Sequence, residues 1–449
     1  MGFMDVFNLI GSWVWGFWMM LIFLAVGLYL SARTGFIQFA RLGVIFRETI
    51  GAIRERTLGS EGDISPFQAT MVALGATLGS GNIVGVTSAI LVGGPGAIFW
   101  MWIAGLVGMA TKFSEAVLAV HYRRRYSDGS VSGGPMFYIS RGLGMPWLGA
   151  LFAIFAAIAA FGIGNVVQVS AMAGAFRSNL NVPPAWTGLL AAILVAYALA
   201  GGIKRVAAFA QVLVPLMVIL YVAIALVVLV LHAGSVIPAI VSIFQSAFSP
   251  QAGVGGAVGV ATKEMIKAGV GRGIFSNEAG LGSAPIAHAQ AQVDHPVRQG
   301  FWGAMEVFID TIVINTFTAL VLLSSSSWLQ GGDPFEVLTG SFADIGSLKR
   351  LMALVLVLFV FTTLVSWAFY GEESAVYLLG EGVRWPYRLA YVVMAFVGGL
   401  GTFSGLVTIS DAMNGLMAIP NLIALVLLGG VVTALTRGFF SGEPWNPPE

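Results

Sequence analysis

From Gly75 to Trp102 the chain reads GATLGSGNIVGVTSAILVGGPGAIFWMW, with Gly75, Gly79, Gly81 and Gly85 set among Thr77, Ser80 and Asn82 in a run apolar enough to enter a bilayer. A helix of this composition should break near its middle. A second interruption, VGRGIFSNEAGLGSAP, has Gly271, Gly273, Gly280 and Gly282 around Phe275, Ser276, Asn277 and Glu278. Unpaired N–H and C=O groups cannot face hydrocarbon, so a break at membrane depth must be enclosed by protein or line a watery cavity. The chemistry expected is ligand binding at the midplane by backbone groups, hydroxyls and amides, as in secondary transporters.

Other residues could join such a site. Phe161, Asn165, Gln168 and Met172 follow at steps of four, three and four, which puts two amides on one helical face. That stripe suits a polar lining and suits hydrogen-bonded packing between helices equally. Thr362 and Thr363 fall near mid-span in FVFTTLVSW, where hydroxyls commonly bond back to their own helix. Glu115, Glu264, Glu278, Glu306, Asp310 and Asp411 are ionisable residues within spans, expensive there and functional by default. Glu278 directly follows the second break, and ammonium binding, gating and an ion pair with Arg272 are all open to it. His121, His232, His288 and His295 have no metal-ligand spacing and read as loop or helix-end residues. Neither HExxH nor GxSxG occurs, so no enzyme motif competes with the binding reading.

The elements that must position these residues are helices. Of 449 residues 57% are hydrophobic and 10% charged, with mean hydropathy +0.89, the balance of an all-α polytopic membrane protein. A net charge of +1 gives no large basic surface for nucleic acid, and the absence of cysteine excludes disulfides and thiolate metal sites. Apolar runs predict eleven spans, at about 10–31, 67–92, 97–120, 147–175, 185–201, 207–231, 253–290 (broken), 300–323, 351–379, 387–403 and 406–435. The first reads as an uncleaved helix and not a secretion signal, because no Lys or Arg precedes Arg33. Phe39, Leu42, Phe46, Ile50 and Ile53 fall on one face of a predicted surface helix, lying in the membrane interface or packed on the protein's inner side.

With the N-terminus outside, fifteen Lys and Arg fall in cytoplasmic segments and three in external ones, which orients the chain N-out and C-in. Spans two to six and seven to eleven form two sets of five, each opening with its broken helix. An odd number per set makes the second enter from the opposite side, as an inverted repeat requires.

The runs GSGNIVGV, GGPGAIFWMW, GGPMFYI, GIFSNEAGLGSAPIAHA, DHPVRQG and DAMNGLMAIPNL, in this order across residues 60–425, resemble the alanine or glycine:cation symporter family, also called the sodium:alanine symporter family. The resemblance implies a leucine-transporter-type fold with a ten-helix core preceded by one extra helix. It also implies sodium-driven uptake of small neutral amino acids, alanine or glycine, by a prokaryotic plasma or inner membrane protein.

For an amino acid at the midplane, the resemblance implies a substrate site of Thr77, Gly79, Ser80, Gly81, Asn82, Phe161, Asn165, Gln168, Phe275, Ser276 and Asn277. The substrate carboxylate would meet N–H groups at 80–82, where a half-helix begins. The ammonium would meet carbonyls near Ala76, Thr77 and 273–275, with the amides of Gln168 and Asn277 beside them. Sodium is implied between the carbonyls of Gly75 and Leu78 and the hydroxyls of Thr362 and Thr363, with Phe359 offering only its backbone. A second cation is implied near Thr77, Asn82 and Asn315. Glu278 and Asp310 are candidates for coupling or gating. Phe161, Met172 and Phe275 would wall the pocket and limit it to small side chains.

The expected organisation is an extra transmembrane helix at 1–35, an amphipathic surface helix at 36–62, repeats at 63–235 and 236–437, and a disordered tail at 438–449. Partners expected are the substrate, sodium and the lipid bilayer. No cofactor and no obligate protein partner are evident. Proton coupling through Glu278 or Asp310 is the alternative mechanism, and a channel, which would not need two inverted breaks, is the weaker one.

Overall fold

A computed structural model describes residues 2–53, 62–79, 81–126, 130–248, 257–342, 346–401 and 403–448. The chain opens with α1 (Phe3–Val14) and α2 (Phe17–Arg33), turned by 42° at Gly16. A Cβ on Gly16 would lie 2.9 Å from the Trp13 carbonyl oxygen, so the bend needs glycine. The short helices α3 (Ile37–Ala40) and α4 (Leu42–Glu48) follow. Phe36 is left-handed and Arg41 lies between the pieces, so the face expected at 39–53 is divided. Phe46 packs on Phe308 while Phe39, Leu42, Ile50 and Ile53 are exposed.

Next comes α5 (Pro66–Thr77), whose start is set by Ser65. Its hydroxyl accepts from the Gln68 N–H at 3.2 Å, the Gln68 side chain accepts from the Ser65 N–H at 3.0 Å, and Pro66 fills the first position, where no N–H is needed. A wide π-type turn at Gly81–Gly85 leads into α6 (Val86–Gly93), bent 53° from α5. Then run α7 (Gly96–His121), the ribbon of β1 (Arg124–Arg125) and β2 (Val131–Ser132), and the single turn α8 (Pro135–Phe137). A second π-type turn, Gly162–Val166, joins α9 (Pro146–Phe161) to α10 (Val167–Leu180). Helices α11 (Pro184–Leu199), α12 (Gly202–Leu231) and α13 (Ala233–Phe248) complete the first half. The boundary expected at 235/236 falls inside α13, whose Pro238 lies near its start and leaves the helix continuous.

The second half has α14 (Ala257–Asn277) and the short α15 (Pro285–His288). A third π-type turn, Phe308–Ile314, separates α16 (Pro296–Val307) from α17 (Asn315–Ser325). The rest comprises α18 (Pro334–Gly340), α19 (Gly346–Leu379), α20 (Arg384–Leu400), α21 (Ser404–Leu427) and α22 (Gly429–Ser441). Small residues bring helices together. A Cβ on Gly300 would lie 2.7 Å from Phe113 and one on Gly303 2.8 Å from the Lys112 carbonyl, so α16 sits directly against α7.

Among the described residues six helices are long and apolar enough to cross a membrane, or eight with each bent pair taken as one span. The other three spans expected from sequence fall on α11, α14 with α15, and α20, which are too short or too polar to qualify by length and composition. The tail is not loose as expected: the Trp445 indole donates to His121 Nδ1 at 3.1 Å, and Arg125 lies over its ring.

Candidate functional site

Both expected breaks exist, and they are made differently. In the first, α5 stops because Leu78 leaves the helical region with ψ 89°. The Gly79 N–H turns to Asn82 Oδ1 at 3.1 Å. At the other side of the break the helix restarts at Gly81, so its first N–H groups have no partner within the helix. Ser80 lies outside the described residues. The second break falls later than the sequence suggested. Helix α14 continues through Gly273, Phe275 and Asn277, so the carbonyls of 273–275 are not a half-helix end as a group. The break is the loop 278–284, where Glu278, Gly280 and Gly282 have φ of 55°, 91° and 90° and Asn277 Oδ1 caps the Ala279 N–H at 2.9 Å.

Oxygens cluster at the end of α5. Thr363 Oγ1 lies 3.0 Å from the Gly75 carbonyl, 3.3 Å from that of Leu78 and 3.0 Å from that of Phe359. One hydroxyl hydrogen serves only one carbonyl at a time, so this is a cradle of neutral oxygens suited to a hard, bare cation. Thr362 shares the Phe359 carbonyl at 3.0 Å but also reaches the Leu358 carbonyl and the Met217 sulfur, so its hydroxyl turns along its own helix. Thr77 likewise bonds back to Ala73 and Leu74.

Gln168 faces the same break. Its Nε2 donates to the Ile163 carbonyl at 3.1 Å, which fixes which end of the amide is oxygen. Oε1 is buried without a hydrogen-bond partner among the described residues, 3.7 Å from where a Gly79 Cβ would stand. A Cβ there would also be 2.8 Å from Thr363 Oγ1, so Gly79 keeps the junction of cradle and amide open. Phe275 lies over Gly81, where a Cβ would be 3.6 Å from its ring.

Asn165 and Phe161 do not join them. Asn165 Nδ2 donates to the Tyr391 carbonyl at 2.8 Å, and the Phe161 ring packs on Tyr387 and Tyr391 at 5.0 and 5.7 Å. Both face α20, because the π-type turn at Gly162–Val166 inserts an extra residue and rotates the rest of the helix out of regular phase. Asn277 is spent on structure, its Nδ2 donating to Thr311 Oγ1 at 3.0 Å.

Beside the first break is a polar knot with Asp310 at its centre. Its carboxylate accepts from Asn82 Nδ2 at 2.6 Å, Ser276 Oγ at 2.9 Å and Thr311 Oγ1 at 2.7 Å. Asn315 Oδ1 also accepts from Asn82, at 2.9 Å, and Asn315 Nδ2 donates to Ser276 at 3.1 Å. These partners are neutral and Asp310 is fully buried, so no cation among the described residues balances it. A buried charge without a counter-charge is costly, which makes this a place for a cation or an ammonium group.

Glu278 does not pair with Arg272. Its Oε2 accepts from Ser283 and its field is that of Lys112, whereas Arg272 faces Asp411. Lys112, fully buried, lies 3.3 Å from Glu306, which bonds His288 Nε2 at 2.8 Å. Gln299 Nε2 donates to His288 Nδ1 at 2.7 Å, so the ring hydrogen sits on Nε2 and points at Glu306. Glu115 accepts from Asn421 at 2.6 Å and the Gly280 N–H at 3.1 Å, locking the second break to α7 and α21. Their place within spans marked Glu115, Glu278 and Glu306 as costly, but Lys112 was not singled out, His288 read as a loop or helix-end residue, and nothing in the spacing foretold that Lys112, Glu306 and His288 meet.

On the face bearing the β1–β2 ribbon, Arg384 bridges Glu372 and Glu373 at 2.7 Å each and Arg388 holds Glu372 at 2.6 Å. Arg123 donates to the carbonyls of Ala289 and Ala291 at 3.0 and 2.7 Å. The ion pairs join α20 to α19 within the second half, and Arg123 ties the second half to the first on that side.

The arrangement is a fold of two halves, each with a broken helix, and its likeness to solved proteins agrees. A crystal structure of MhsT in complex with L-phenylalanine superposes with TM-score 0.57 over 84% of this chain and 99% of that one, at 14% identity. The family profile described as the sodium:alanine symporter family matches residues 2–444. The chain belongs to that family. Among similar sodium:alanine symporter family proteins, the sodium/alanine symporter AgcS of Methanococcus maripaludis is 44% identical over 451 residues, covering 98% of each chain. An uncharacterized transporter of Haemophilus influenzae is 44% identical over 444 residues, 97% of this chain and 96% of that one. The symporter is thus a multi-pass membrane protein with a leucine-transporter-type fold, a cation-coupled amino acid transporter and not an enzyme.

Proposed function

We propose that the protein imports small neutral amino acids, alanine and glycine, together with sodium, by alternating access across a prokaryotic plasma or inner membrane, with its N-terminus outside and C-terminus in the cytoplasm. The reading is carried by one juncture at Gly79, where a cradle of neutral oxygens and an unpartnered buried amide oxygen face the same helix break. In this reading sodium is held by the carbonyls of Gly75, Leu78 and Phe359 and the hydroxyl of Thr363, with Thr362 beside it. The amino acid's carboxylate meets the N–H groups that begin the outer half-helix at 81–82, where the helix dipole favours an anion. Its ammonium meets Gln168 Oε1. Asp310, with Asn82, Ser276 and Asn315, supplies the negative charge that a second cation or the ammonium neutralises. Phe275 bounds the side chain.

The same juncture accounts for coupling. The Gly75 and Leu78 carbonyls belong to the backbone that ends at Gly79, so a cation drawn to them fixes the break at which the substrate binds. The similar sodium/alanine symporter supports sodium and alanine as the pair. The eleven-span topology, with an extra helix at 1–35, a surface segment at 36–62 and repeats at 63–235 and 236–437, belongs to this proposal. Its test is Thr363→Ala: half-maximal uptake should then need more sodium, and an unchanged requirement would move the cation elsewhere.

A further inference from the structure

Trp15 stands at the bend of the N-terminal span, outside the two repeats. Its indole N–H donates to the Asp411 carbonyl at 3.3 Å, anchoring it to α21. The ring meets Phe275 edge to face, centroids 5.8 Å apart and planes at 65°. Phe275 is the side chain that lies over Gly81. From the extra span to the helix break there is thus a continuous series of contacts: Trp15, Phe275, Gly81.

A cavity of about 330 Å³ lies beside the first two of these residues, bordered by Trp15, Met20, Ser88, Arg272, Phe275 and Asp411. Arg272 and Asp411 stand in each other's field, so charges of both signs border it. In the orientation proposed above, α2 runs inward to Arg33, so Trp15, at the bend where α2 begins, lies on its external side. An aromatic side chain on a helix has few rotamers, and a neighbour's ring against its edge selects one of them.

We propose that Trp15 is a positioning residue: it holds Phe275 over the break, and the cavity it borders is the external approach for the amino acid. The extra span, and not the ten-helix core alone, then sets the largest side chain admitted. This rests on the transport reading above for the cargo, and on geometry alone for the approach.

Two measurements test it. In the first, competition by leucine against labelled alanine uptake is compared in the unmodified protein, Trp15→Ala and Trp15→Phe, with sodium dependence recorded alongside. Trp15→Ala should strengthen leucine competition at least tenfold with the sodium requirement unmoved, and Trp15→Phe, which keeps a ring edge, should restore most of the discrimination. Unchanged competition in Trp15→Ala would overturn the positioning role. If Trp15→Ala fails to insert, Trp15→Phe against Trp15→Leu decides: equal selectivity overturns it, and relaxed selectivity in the leucine variant supports it.

In the second, the cysteine-free chain carries Ala268→Cys on the cavity wall and is exposed to a membrane-impermeant maleimide from outside intact cells. Labelling from outside, faster with Trp15→Ala added, supports the approach, and labelling only after permeabilisation overturns it. This arm needs no substrate, so it decides the approach even where alanine proves not to be the cargo.

Discussion

Gly79 concentrates the account into one atom that is missing. A Cβ at this position would stand 2.8 Å from Thr363 Oγ1, closer than such contacts are found, and 3.7 Å from Gln168 Oε1. A valine would therefore displace the hydroxyl that joins three carbonyls and fill the space before the amide oxygen. Uptake by Gly79→Val should fall below about a tenth of the parent with normal membrane insertion, checked by fluorescence-detected size exclusion. A contact between a polar group and a charged one is worth about 1.5–3 kcal/mol, so Gln168→Leu should raise the KM for alanine roughly 10- to 100-fold. An unchanged KM would remove Gln168 from the ammonium site. Gly79 stood out because clustered glycines in an apolar run predict a break, whereas Thr363 and Gln168 came from a paired hydroxyl and an amide stripe that packing explains as well, and it is the fold that brings all three to one place. Asn165 and Phe161 were misplaced for a definite reason: a stripe at steps of four, three and four assumes a regular helix, and the π-type turn between Phe161 and Gln168 breaks that phase.

At the scale of elements, the two breaks were visible as clusters of glycine, but their positions were not equally so. The first was placed correctly, since it is set locally, by Leu78, Gly79 and the Asn82 side chain. The second is set by tertiary contacts: Gly280 packs on Phe23 and Leu422, and Gly282 on Phe152, Pro135 and Asn421, while Glu115 from α7 receives the Gly280 N–H. No local pattern reports such partners. At Gly282, with φ 90° and a Cβ that would lie 2.7 Å from Phe152, alanine is both strained and crowded. Gly282→Ala should destabilise the detergent-solubilised protein by more than about 1 kcal/mol, read as a lowered Tm, whereas Gly144→Ala, at φ 67° in open space, carries only the conformational strain and should lower it less. The contact of Trp15, at the bend between α1 and α2, with Phe275 was likewise hidden, because an apolar span shows its length in the sequence but not its neighbour.

For the whole molecule, composition announced a polytopic helical protein, the placement of Lys and Arg its expected orientation, and two breaks that each open a set of five spans the inverted repeat. The short α11 and α20 show why spans are hard to count: they pack on each other through Gly188 and Gly399 and each has an exposed apolar face, with Ile193 on one and Leu389 on the other, yet at 16 and 17 residues both fall short of a full span by length. Phe275 bears on the whole cavity, and Phe275→Ala should let leucine compete with alanine where it does not in the parent. We propose that sodium drives the amino acid inward. It is tested by labelled alanine uptake into proteoliposomes given first an inward sodium gradient at equal pH, then a proton gradient in sodium-free buffer. Concentrative uptake with sodium, lost in Thr363→Ala at low sodium, and none with the proton gradient is the result predicted. Uptake driven by the proton gradient without sodium would contradict it, and would shift the coupling from the Thr363 cradle to a carboxylate such as Asp310.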